Sequence, residues 1–182
     1  MTGEQYLILA AVLAAGVAAF HDWRTGEIPN WLTLGGLAAA GLGRVTLGYL
    51  SGGGSGALRG LLTAVAALVL CGLIPFLLFR VGAMGGGDLK LLVAVGVFLG
   101  PLIGVEAQMY SFIIGAIYAP ARLAYQGKLL QTLGNSALLV KNVFVPKAKR
   151  RELPTEMMSE LRFAPSVFVA SLVIALLYWG AA

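Results

Sequence analysis

Apolar residues gather in six long runs, 5–21, 31–50, 58–79, 89–104, 107–125 and 163–180, with polar residues collected between them. A bilayer-crossing helix needs roughly 20 apolar residues, and in lipid the backbone must satisfy its own hydrogen bonds, so helices are expected throughout. Only "GPLIGVEAQ" separates the fourth and fifth runs. A single helix over 89–125 would extend about 55 Å, against a hydrocarbon core of about 30 Å. Two helices are therefore expected, with Gly100-Pro101 and Glu106 marking the turn. "SGGGSG" at 51–56 reads as a tight turn between the second and third. The pattern predicts an all-α polytopic membrane protein: six transmembrane helices in one membrane-embedded domain over 1–182.

Composition agrees. Hydrophobic residues make up 59% of the chain, charged residues 12%, and mean hydropathy is +0.87. Soluble domains average about 25% charged residues. The net charge of +5 would fit a nucleic-acid partner were it not so unevenly placed. Eleven of the thirteen lysines and arginines fall in or beside the segments 22–30, 80–88 and 126–162, leaving only Arg44 and Arg59 for the other side. The positive-inside rule puts those three loops in the cytoplasm and both termini outside, in the cell membrane, with no role for nucleic acid. The N-terminus lacks a basic region ahead of its apolar run, so the first span is expected to be retained.

In the long loop, Leu129, Leu130, Leu133, Ala137, Val140 and Phe144 recur at helical spacing among polar residues. That predicts an amphipathic helix along the inner leaflet, with "KAKRRE" facing anionic lipid headgroups or acting only as a topology signal. The lone cysteine, Cys71, lies in an apolar run and reads as packing. The single histidine, His21, lacks partners for a zinc site or a serine triad, and is expected to meet headgroups or tune local charge. No metal and no cofactor is expected.

The chain has two aspartates, Asp22 in "FHDWRTGEIPNWLTL" and Asp88 in "GAMGGGDLKLL". Asp22 follows the first span and Asp88 precedes the fourth, so both belong to the same membrane face. Packing of those two helices would bring the carboxylates close. Ionisable residues at membrane depth are functional candidates. Asp88 could instead cap a helix, and Asp22 could pair with Arg24. Three glycines, Gly85, Gly86 and Gly87, are more than a cap needs; they allow close backbone approach and unusual dihedrals, as for a substrate strand beside a carboxylate. Adjacent carboxylates resist joint ionisation, so one keeps its proton. The ionised one can then activate water while the other polarises a peptide carbonyl, which is aspartic proteolysis.

"GGGD" followed by "LKLL" resembles the motif of GxGD-type intramembrane aspartyl proteases. "DWRTGEIPNWLT" resembles the first-aspartate segment of type IV prepilin peptidases, and "FAPSVFVA" at 163–170 is similar to the opening of that family's last span. The resemblance runs through nearly the whole chain, with the two aspartates 66 positions apart. It implies Asp22 and Asp88 as the catalytic pair, Gly85 and Gly87 as motif glycines with Gly86 between, and Lys90 as the basic residue after the motif. Arg24 belongs to the short basic loop, and Ile28, Pro29 and Asn30 to the turn that starts the second span. Asn30 also suits an N-cap and Trp31 an interfacial anchor.

Longer relatives carry paired C-x-x-C motifs in a cytoplasmic methylating domain; one cysteine and a short first loop imply the peptidase-only form, similar to those of tight-adherence (Flp-type) pilus systems. Archaeal preflagellin peptidases are an alternative of comparable size. The implied partners are membrane lipids and pilin-like precursors with a basic leader, a glycine at the cleavage point and a hydrophobic helix. A small proton-coupled transporter using Asp22 and Asp88 is the competing class, although carriers more naturally place carboxylates near mid-span.

Overall fold

The computed structural model describes residues 2–125 and 162–180, and every element among them is a helix: α1 Gly3–Thr25, α2 Asn30–Arg80, α3 Gly86–Leu99, α4 Pro101–Tyr125 and α5 Ala164–Tyr178. The amphipathic helix expected near 129–144 and the basic cluster lie outside the described residues. The chain divides into two compact units, Met1–Ile114 with Arg162–Ala182, and Gly115–Leu161. Of the second unit, the described part is the end of α4.

Within the first unit, α2 is two helical legs, because Gly52 and Gly53 leave helical geometry, Gly53 at φ 59° and ψ −141°. Only glycine enters that region cheaply. The legs lie so close that a methyl on Gly60 would run into the Arg44 carbonyl, and one on Gly48 into that of Gly56. Small residues permitting close backbone approach are the usual packing device where lipid removes the hydrophobic drive.

The legs of α2 together with the other four helices make six helical segments among the described residues. Gly3–Thr25, Asn30–Arg80 and the 101–121 part of α4 are long and apolar enough to cross a membrane, and α5 is a shorter apolar helix. The turn expected over 100–106 is tighter than anticipated. Gly100, at φ 88°, makes it alone, and α4 begins at Pro101. Glu106 is therefore helical, and its carboxylate accepts from the Tyr178 hydroxyl at 2.6 Å.

α3 is the core. Every residue from Leu91 to Leu99 is buried, as expected for a helix apolar on all sides, and it packs against α1, α2 and α5. Its last carbonyls, on Val97 and Phe98, accept from the Arg44 guanidinium at 3.1 and 2.8 Å, while Arg44 also pairs with Glu4 at 3.0 Å. A cation suits a helix C-terminus. Cys71 is fully buried against Gly96 and Gly104, as its apolar run implied, and its carbonyl accepts from Gln108 at 2.6 Å.

α1 and α5 meet along a stripe of small residues. Ala11, Ala15 and Ala18 are completely buried, and they share one helical face with Asp22. Facing them on α5 are Ala164, Val167, Ala170 and Ile174, also completely buried.

Candidate active site

Asp22 does not follow α1 but sits within its last turn, which closes at Gly26 (φ 74°) through a bond from the Gly26 N–H to the Asp22 carbonyl at 2.9 Å. Its side chain, only 5% exposed, ends the alanine stripe. The carboxylate accepts the Ala164 N–H at 3.3 Å. Ala164 opens α5 ahead of Pro165, so this N–H is one of the donors that a helix cannot satisfy internally. Next to it, the Arg162 guanidinium donates to the Trp23 carbonyl.

Asp88 is not the N-cap of α3. Gly85 occupies that position and Asp88 lies three residues further on, half-buried in the first turn. Asp88 also lies within electrostatic reach of Asp22. Burial, first, and the Asp22 carboxylate, second, push the Asp88 carboxyl up to about 7. The packing of α1 on α3 thus brings the two aspartates to one end of the core.

The glycines act by size, and their backbone is ordinary. None of Gly85, Gly86 and Gly87 has a positive φ, contrary to the expected unusual dihedrals. A methyl on Gly87 would lie 3.3 Å from the Ile28 Cβ, one on Gly86 3.5 Å from the Phe79 ring, and one on Gly85 3.1 Å from the Asp88 carboxylate. The close approach is therefore to Ile28 and Asp88 of the same chain. Ile28 seats the first motif on the second.

Pro29, at φ −62° and ψ 138°, takes the cap position of α2 that Asn30 was expected to fill. Proline suits a helix entry because its missing N–H would be unpaired there. Asn30 is freed for another bond, and its side-chain oxygen accepts from the Lys90 ammonium at 2.7 Å. Arg24 stacks its guanidinium 4.6 Å over the Phe20 ring. His21 meets the exposed Trp31 edge-on, with ring centroids 6.1 Å apart.

The structure thus groups Asp22, Asp88, Gly87, Ile28, Asn30 and Lys90, with Pro29 at the turn between them. Sequence reasoning missed Arg162 and Ala164. A signal existed: alanines at 11, 15 and 18 aligned with Asp22 mark a close helix contact at that carboxylate. Among the described residues no group of three or more potential metal ligands occurs.

A family model for the type IV leader peptidase family matches residues 7–120. That span is more than half of the chain and holds both aspartates and the motif residues around them, but not the 163–170 segment. The chain belongs to this family. It is a type IV leader peptidase-type protease, and its apolar helices agree with an integral membrane protein. No curated protein and no solved structure gives a significant match.

Proposed function

We propose that this chain is an aspartic endopeptidase that removes the basic leader from type IV pilin-like precursors, with Asp22 and Asp88 as the water-activating pair. The observation that carries the reading is the electrostatic coupling of the chain's two aspartates at one end of the helix core. Family membership supports the reaction class. Six spans with both termini outside would set this end at the cytoplasmic face of the cell membrane. A precursor's leader stays in the cytoplasm while its helix stands in the bilayer, so its scissile bond would arrive at the same level. Ile28 against Gly87, and Asn30 against Lys90, hold the turn after Asp22 onto the helix bearing Asp88.

Co-expression with a pilin-like precursor tests this. Wild type should produce a leader-sized mobility shift, and Asp22→Asn and Asp88→Asn should each abolish it. Cleavage by a well-folded Asp88→Asn protein would end the aspartic reading.

A further inference from the structure

The two carboxylates stand in unequal surroundings. Asp22 accepts an N–H from the open first turn of α5, and the Arg162 guanidinium sits on the neighbouring Trp23 carbonyl. The Ala164 contact favours a charged carboxylate in two ways: a helix N-terminus is an anion site, and a hydrogen bond to the ionised form stabilises that form. Asp88 accepts no hydrogen bond from the described residues, and burial disfavours its charge.

We propose that the Arg162–Ala164 segment makes Asp22 the ionised base of the pair and Asp88 the proton-carrying acid. This assignment rests on the aspartic reading above. It divides the reaction as follows. Asp22 takes a proton from water as the oxygen attacks the scissile carbonyl carbon, and Asp88 gives its proton to the carbonyl oxygen. When the tetrahedral species collapses, Asp22 returns its proton to the departing amine nitrogen and the C–N bond breaks. Asp88 recovers a proton from a hydroxyl of that species. Both groups end as they began, with one water consumed.

Other charged side chains among the described residues lie on the neighbouring elements. On α1, Arg24 is stacked on Phe20 and His21 meets Trp31. Glu27, between α1 and α2, and Arg80, at the end of α2, are exposed. On α3, Lys90 is bonded to Asn30. The helix dipoles oppose the assignment, since Asp22 is in the last turn of α1 and Asp88 in the first turn of α3. They also fade within a turn, whereas the Ala164 N–H contacts the Asp22 carboxylate directly. The donor is on α5, beyond the 7–120 region that defines the family match.

With two aspartates in the chain, ¹³C labelling of aspartate isolates the pair in an infrared spectrum of the full-length protein in lipid. At pH 6 the labelled protonated-carboxyl band should be present in wild type, retained in Asp22→Asn and lost in Asp88→Asn. A band retained in Asp88→Asn and lost in Asp22→Asn would overturn the assignment while leaving the aspartic reading intact. Cleavage by either Asn variant would instead refute that reading.

A second measurement does not depend on the Asn variants folding. Replacing Ala164 by its α-hydroxy analogue turns the N–H into an ester oxygen. With a precursor peptide of basic leader, glycine and apolar helix as substrate, the acid limb of kcat/KM should move up by about one to two pH units. An unmoved acid limb would also overturn the proposal.

Discussion

The Lys90 ammonium donates to the side-chain oxygen of Asn30 at 2.7 Å, joining the second turn of α3 to the first residue of α2. Sixty positions separate them in sequence, and each adjoins a motif that contains an aspartate. The bond therefore fixes how the 26–29 turn lies on α3, close to the carboxylates.

Lys90→Met and Asn30→Ala should each lower cleavage roughly three- to tenfold, the range expected for a solvent-accessible charge-assisted hydrogen bond. The double variant should fall no further than the worse single one, because the residues act through one contact. Single-turnover cleavage of a precursor peptide measures this, and fully additive losses would show that the bond is not their shared function.

For the aspartates, Asp22→Asn, Asp88→Asn and the double variant should be equally inactive, since groups that act as a unit are non-additive. Asp88→Glu is the sharper case. It keeps the carboxyl group but shifts its oxygens by about 1 Å, enough to cost on the order of a hundredfold. Leader release by purified protein, with helicity checked alongside, decides both.

Stability should fall as pH rises across Asp88's titration. Its carboxyl is raised from 3.8 to about 7 in the folded chain. Between those values the folded state holds a proton that the unfolded state has lost, so raising the pH favours unfolding. The loss begins near pH 4, ends above pH 7, and should be removed by Asp88→Asn. Thermal unfolding in detergent between pH 4 and pH 8 measures it, and a slope unchanged in the variant would contradict it.

Reporter fusions at Ala182 and within the 145–155 segment should lie on opposite sides of the membrane, as the charge asymmetry requires. Both reporters on one side would separate the topology from the site.

The helices were legible because lipid-facing helices need long apolar runs, and these the sequence displays. Their ends were less legible. α1 runs past Asp22 because Gly26, and not the first polar residue, supplies the left-handed cap. α3 starts at Gly86, inside a glycine run that would ordinarily be read as loop. Asp22 and Asp88 stood out by rarity in an apolar chain. The Ala164 contact did not, since a backbone N–H leaves no mark on the sequence. Arg44 was equally hidden: counted as an outside charge, it is the cation that closes the far end of α3. Side-chain partners across dozens of residues follow from packing, which periodicity alone does not specify.

α3 has 14 residues and α5 has 15, so each is only about 21–23 Å long, well short of a hydrocarbon core of about 30 Å. Both begin at the aspartate pair. Placed in a bilayer, neither could reach both headgroup layers; α3 is enclosed by protein, so it is the lipid against the exposed face of α5 that would have to thin, at a cost of fractions of a kcal/mol per Å. On the topology proposed above, the carboxylates would lie at the floor of a dimple in the membrane surface, where a precursor's apolar helix would be met at its end with water still within reach. Hydrophobic mismatch would then be part of the enzyme: short-chain lipids, which relieve it, should speed turnover, while thick, ordered bilayers should bury the dimple and slow it.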